Sequence, residues 1–298
     1  MTTSQPNPGG PGSAVIGRSV QTMSRSRQIL GRNFWGRFGV PIALLLVIVF
    51  FASQSNAFLT EGNIINVLRQ SSVVAIAAVG TTIVLIAGGI DISQGAVMAL
   101  AGRTAVAGVE SFGLPDGIVL VIALTLAGLV GFANGLFAEK VRIPAFIATL
   151  GTALVVRGIA FVYTEGRSIG FGRGENITGE FFQWLGKGFI GPIPVPVVLM
   201  IVLYILAAIV MRRTTWGMHC YAIGSSERAA RVAGLRVQWH RIQVYTIAGV
   251  LSGLAGIVLA GRLASASPSL GAGAEFDVLT AVVLGGTSIY GGRGNIAR

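Results

Sequence analysis

The chain has 298 residues, 53% of them apolar and 11% charged, against about 25% charged residues in an ordinary soluble domain. Its 43 glycines lie inside apolar runs instead of polar linkers, which excludes collagen, a disordered linker and a disulfide-rich scaffold. The formal net charge of +11 would direct a soluble protein towards nucleic acid, an inference that depends on where the charges lie.

They lie between apolar stretches. Residues 1–38 carry Arg18, Arg25, Arg27, Arg32 and Arg37 without a single acid, and Pro6, Pro8, Gly9, Gly10, Pro11 and Gly12 give the segment nothing with which to bury a core, so it is predicted to be a disordered basic tail. The apolar segment behind it starts too far from Met1 for a standard signal peptide and shows no small-residue cleavage site, so the first span is expected to be retained. Apolar runs follow at 42–51, 73–87, 119–137, 143–163, 195–211 and 242–261, each long or nearly long enough to cross a hydrocarbon layer, which takes about 20 helical residues. The predicted class is an all-α polytopic membrane protein, a multi-span helical bundle over 39–298, with membrane lipid and not nucleic acid as its surroundings.

Basic residues set the orientation, because Lys and Arg are retained on the cytoplasmic side. The N-terminal tail is placed inside. By alternation the connection with Glu139, Lys140 and Arg142 is cytoplasmic, and so is the segment 212–241 with Arg212, Arg213, Arg228, Arg231, Arg236 and Arg241. The opposite connections hold Glu61, then Glu110 and Asp116, then Glu165, Glu175 and Glu180 diluting Arg167, Arg173 and Lys187.

Two places interrupt the helices. The first is Gly88-Gly89-Ile90-Asp91-Ile92-Ser93, after which helix resumes near Ala96. Asp91 with Gln94 has the spacing of a capping box, and an acid at that depth also suits a discontinuous helix facing a cavity. The second is Gly285-Gly286-Thr287-Ser288-Ile289-Tyr290-Gly291-Gly292, which matches 88–95 at four of eight positions. Paired glycine-interrupted segments in two halves are the sign of inverted repeats around a transport pathway. Between them Ala248, Ser252, Gly256 and Ala260 recur every fourth residue beside Gly249 and Gly253, and Gly131 pairs with Gly135, the spacing that lets helix backbones approach closely in lipid.

The chain shows no order of residues suited to an embedded catalyst and no phosphate-cradling loop. Cys220 is the one cysteine, consistent with a thiol on a reducing cytoplasmic face open to impermeant reagents from that side. His219 and His240 read as loop histidines too isolated for a metal. The ionisable residues within spans are Asp91, Arg103, Arg157 and Arg262. Arg103 stands where a small or apolar residue is expected, and Arg157 lies within reach of the outer interface.

In the cytoplasmic segment, Glu227, Ala229, Ala230 and Gly234 form Glu-x-Ala-Ala-x-x-x-Gly, followed by Leu235. This resembles the EAA loop of ABC importer permeases, a short helix that docks on the ATPase. Glu227 suits a helix N-terminus, Ala229 and Ala230 would give a slim face, and Gly234 would end the helix. The resemblance extends over most of the chain: Gly88 to Ser93, Asn134-Gly135, Ile143-Pro144-Ala145-Phe146-Ile147-Ala148-Thr149-Leu150-Gly151-Thr152, Arg157-Gly158, Tyr221-Ala222-Ile223-Gly224, Ala266-Ser267-Pro268 and Ala281 to Ser288 are similar to permease subunits of ribose/xylose-type monosaccharide ABC importers. It implies a bacterial inner-membrane permease working with a second permease copy, a cytoplasmic ATPase that binds ATP and Mg, and a periplasmic or lipid-anchored sugar-binding protein, with no cofactor bound by this chain. The coupling residues would be Glu227, Ala229, Ala230, Gly234 and Leu235. The pathway residues would be Asp91, Ser93, Asn134, Thr149 and Thr152, with helix breaks at Gly88, Gly89, Gly285 and Gly286. Against about ten spans in two inverted halves, alternation here counts roughly eight spans or part-spans, and the last helices of the family pattern are expected to be missing after Arg298. An ABC importer permease for branched-chain amino acids or another small solute, and, in a different class, an ion-coupled secondary carrier, are the alternatives.

Overall fold

The computed structural model describes residues 39–172 and 178–296, apart from the side chains of 163 and 164. The expected disordered tail, together with Arg173 and Glu175, lies outside the described residues. Most of the rest is helix. The first helix, α1 (Gly39–Gln54), is short and apolar and falls in a first unit that ends at Asn63, of which residues 39–63 are described.

In the second unit, Ile64–Arg298, the helices are α2 (Glu61–Ile86), α3 (Gln94–Glu110), α4 (Asp116–Glu139), α5 (Ala145–Thr164), α6 (Glu180–Lys187), α7 (Val195–Arg213), α8 (Thr215–Ser225), α9 (Glu227–Val232), α10 (Val237–Leu263) and α11 (Ala274–Leu284). The long apolar helices are α2, α4, α5, α7 and α10. At 1.5 Å per residue the 24 residues of α4 reach about 36 Å, enough for the ~30 Å hydrocarbon layer. Two strand pairs close loops: β1 (Ile169–Gly170) lies antiparallel to β4 (Ser265–Ala266), and β2 (Phe189–Ile190) to β3 (Ile193–Pro194).

α10 is the axis of the bundle, packed on α2, α3, α4 and α6. Its small residues do what their spacing predicts. A methyl group on Gly256 would collide with the Met98 carbonyl of α3, and one on Gly131 of α4 with the Tyr245 carbonyl of α10. Gly135 lies so close that a Cβ would stand 2.8 Å from Ile242 Cα. Lipid offers no hydrophobic drive between helices, so dispersion contacts at this separation supply the attraction. By contrast α5 and α7 are largely exposed, Leu154 by 66% and Ile205 by 54%, as apolar helices facing lipid are.

Two short helices escaped the hydropathy pattern. α6 puts Phe182 inward, stacked on Phe171 at 5.9 Å between centroids, while Phe181 and Trp184 remain exposed. α8 is capped by Thr214, whose hydroxyl accepts from Gly217 N, and makes part of the segment 212–241 helical.

Candidate coupling and translocation site

α2 ends in a Schellman motif: Gly88 has φ +78°, Gly88 N donates to Leu85 O at 2.9 Å and Gly89 N to Val84 O at 2.9 Å. Glycine adopts this left-handed conformation without a Cβ penalty. α11 ends in the same way, through Gly286 (φ +89°), with Gly286 N donating to Val283 O and Thr287 N to Val282 O. The equivalent glycines are therefore Gly88 and Gly286, one residue out of register from the match of Gly88 with Gly285 read in the sequence. The two breaks also touch, for Gly292 N donates to Ile86 O at 2.9 Å.

The capping box expected at Asp91 and Gln94 does not form. Asp91 Oδ1 instead accepts from Ser93 N at 2.8 Å and from Ser93 Oγ at 2.7 Å, a local turn that competes with helix. The helix therefore starts at Gln94, and the Gln94 amide donates to Thr81 Oγ1 and to Asp91 O. Asn134 Nδ2 of α4 donates to Ser93 Oγ at 2.8 Å, and Thr149 Oγ1 of α5 accepts from Ile92 N at 3.2 Å. Tyr245 Oη of α10 donates to Ile90 O at 3.3 Å. Asp91, Ser93 and Asn134 are thus joined in one buried network, and Thr149, also buried, holds the backbone of the same segment at Ile92. Thr152 does neither, since its hydroxyl donates to Ala148 O of its own helix.

Sequence reasoning missed Glu275. It opens α11, and a methyl group on Gly95 at the start of α3 would collide with its Oε2 and meet Arg157 Nη2 at 3.2 Å. The Arg157 guanidinium thus lies beside the start of α3, next to the interrupted segment. The signal available was an acid two residues before Asp277 in an otherwise apolar run. Gln94 Oε1, Asn134 Oδ1 and Glu275 Oε2 are buried acceptors with no hydrogen-bond partner among the described residues. Arg103, in place of the expected small residue, is 7% exposed and donates to Arg167 O.

At the α9 end, Ser226 Oγ accepts from Ala229 N at 3.3 Å and so caps the helix. Gly234 (φ +84°) ends it, with Gly234 N donating to Arg231 O and Leu235 N to Ala230 O. The slim alanine face is half inverted: Ala229 is exposed, but Ala230 is buried against Ile223 and Val237, with Leu235 packed beside them. What α9 presents outward is Arg228, Ala229, Val232 and Ala233, Val232 being 85% exposed.

Glu227 faces the body of the protein. Its Oε1 accepts from Arg231 Nε at 3.0 Å and Nη2 at 2.7 Å, and its Oε2 from Arg241 Nη1 at 2.8 Å. The Arg231 hydrogen bonds, with the Arg241 charge behind them, hold the Glu227 carboxyl below the ordinary glutamate range. Arg241 Nη1 also donates to Glu139 Oε1 at 3.1 Å, and Arg241 Nε to Ala87 O at 3.2 Å. A cavity of about 540 Å³ lies beside this cluster, bounded by Gly88, Ala138, Glu139, Arg142, Arg231 and Tyr245 among others.

Cys220 is buried, with Sγ 3.3 Å from His240 Nε2, and burial pushes its thiol up to about 12. It is not the open thiol expected from the sequence. His219 and His240 lie in α8 and α10, not in loops, and their rings meet edge to face at 5.6 Å.

A family profile described as branched-chain amino acid transport system / permease component matches residues 63–293. A ribose import permease protein of Haemophilus influenzae is 40% identical over 265 residues, covering 88% of this chain and 81% of that protein. The ribose import permease protein of Escherichia coli K12 is 41% identical, covering 86% and 78%. A D-allose transport system permease protein of the same organism is 33% identical over 88% of this chain and 79% of its own. No solved structure matches.

Proposed function

We propose, from the premise that this chain belongs to the branched-chain amino acid transport system / permease component family, that it is the membrane-spanning permease subunit of an ABC importer for monosaccharides. The family description alone leaves the solute open. The similar proteins import ribose, fructose and D-allose, which favours a sugar over a branched-chain amino acid. The subunit is a transport component and not an enzyme, and membership implies an ATPase and a substrate-binding protein as its partners. ATP and Mg would be held by the ATPase and none by this chain, and a second permease copy would complete the pathway.

The observation that carries the reading is α9: a capped helix anchored by Ala230 and Leu235 that exposes Ala229, Val232 and Ala233 beside Arg228, a slim face suited to a docking groove on an ATPase. Lys140, Arg142, Arg212, Arg213, Arg228 and Arg236 lie in or beside the coupling segment, and this basic excess supports a cytoplasmic position for it, as the five arginines of residues 1–38 support one for the N-terminus. The domain 39–298 would act as one permease, with 212–241 as the coupling segment. Sugar would pass the interrupted segment of Asp91, Ser93, Asn134 and Thr149. The unpartnered oxygens of Gln94, Asn134 and Glu275 are acceptors, the complement of a ligand rich in hydroxyl donors.

Reconstitution into vesicles with candidate ATPase and binding-protein subunits tests this. Uptake of a labelled monosaccharide that needs ATP and survives collapse of ion gradients is expected. Uptake without an ATPase, abolished by an ionophore, would instead establish an ion-coupled carrier.

A further inference from the structure

Glu227 was expected to serve the docking surface, yet its carboxylate turns away from it. The group it meets, Arg241, joins three elements at once: α9 through Glu227 Oε2, the end of α4 through Glu139 Oε1, and the end of α2 through Ala87 O. The Arg241 side chain is 16% exposed, Glu139 9% and Glu227 40%, so the ties to Glu139 and Ala87 are sheltered and the tie to α9 is the one open to solvent. Ala87 O is among the last carbonyls of α2, which the helix cannot satisfy itself, and a cation there also complements the helix dipole. One residue further on, Gly88 begins the interrupted segment. The polar cavity alongside, of about 540 Å³, leaves room for the guanidinium to move.

We propose that Arg241 is a positioning residue that latches α9 to the interrupted end of α2, so that displacement of α9 withdraws Glu227 from Arg241 and loosens the arginine's hold on the start of the segment from Gly88 to Gln94. With Glu227 withdrawn, the guanidinium retains Glu139 and Ala87 O, and Arg231 moves away with α9. A link of this kind is a two-arrangement element that both a docked partner and the pathway can bias. The proposal rests on α9 being the ATPase-docking helix.

The test uses the full chain in vesicles, with Ala138→Cys as a reporter in the cavity wall; native Cys220 is buried and adds little background. In the permease alone, Arg241→Gln should raise alkylation of the reporter several-fold, Glu227→Gln should do so less, and Arg241→Lys should lie near wild type. With ATPase and binding protein present, Arg241→Gln should still co-purify with the ATPase while sugar moved per ATP falls about tenfold, within the usual range of coupling between sites. Reporter alkylation unchanged by both Arg241→Gln and Glu227→Gln, or sugar per ATP equal to wild type, would overturn the latch. If Arg241→Gln does not insert, Glu227→Gln decides alone, because it leaves the arginine and its inner contacts in place. Failure of the docking reading appears separately, as undiminished ATPase co-purification with Val232→Arg on the exposed face of α9.

Discussion

Replacing Ser93 by alanine tests whether the interrupted segment is held by the buried chain from Asp91 through Ser93 to Asn134. The Ser93 hydroxyl donates to Asp91 at 2.7 Å and accepts from Asn134 at 2.8 Å, and the residue is 1% exposed. Two ordinary hydrogen bonds contribute together about 2 kcal/mol in a water-soluble protein, and a buried polar group left without a partner costs about 1–3 kcal/mol. Between helices in lipid the average is about 0.6 kcal/mol per bond, so the pair contributes at least ~1 kcal/mol. Without the hydroxyl, Asn134 Nδ2 loses the acceptor it donates to and Asp91 Oδ1 loses one of its two donors. Ser93→Ala should therefore lower the free energy of unfolding by about 1–3 kcal/mol. Combined with Asn134→Ala, the loss should fall short of the sum by about 0.6–1 kcal/mol, because both changes remove the same bond. Reversible unfolding by SDS in mixed micelles, followed by tryptophan fluorescence, measures both. A single variant within about 0.5 kcal/mol of wild type, or strict additivity of the two, would refute the assignment.

Gly131→Ala should destabilise by about 1–3 kcal/mol through overpacking against the Tyr245 carbonyl, whereas Gly151→Ala, where nothing lies within 4 Å of the added methyl, should be neutral or slightly stabilising by the same measurement. Native Cys220, buried with its thiol pushed up to about 12, should resist impermeant maleimide at pH 7.5; Val232→Cys should react from the cytoplasmic side, and its labelling from outside would invert the orientation. Because the Glu227 carboxyl is held below its ordinary value, its contribution is complete above the unfolded value of about 4.3 and is lost as pH falls through the lower folded value. The stability gap between wild type and Glu227→Gln should stay constant from pH 8 to 5.5 and narrow only in stronger acid, and a gap that closes between pH 7 and 6 would contradict the hydrogen-bonded geometry.

The spans and their close packing were legible because lipid imposes one-dimensional rules: length, apolarity and four-residue spacing of small side chains are local in the sequence. The end of α9 at Gly234 was legible for the same reason, since a helix stop is written within a few residues. What escaped were contacts that no local pattern encodes. The Asp91–Gln94 spacing fits a capping box, but Thr81, thirteen residues earlier, took the Gln94 amide instead. Ala230 was read as part of an outer face because its orientation depends on Ile223 and Val237, which only the folded chain brings beneath it. Arg241 counted in the sequence as one of several inside-facing cations, and only the convergence of Glu139, Glu227 and Ala87 distinguishes it. α6 and α8 were passed over because hydropathy windows sized for a membrane average out helices of 8 and 11 residues.

The contacts along α10 have a mechanical consequence. Where backbones touch with no side chain between them, there is no rotamer change to take up a displacement, and close-packed protein compresses little. α10 is therefore a stiff rod held along its length, from Gly135 against Ile242 to Phe182 against Gly261. A push or twist applied beside Arg241 cannot die out within the first turns and must emerge at the far end, beside α6 and the β1–β4 pair, as motion of the whole rod.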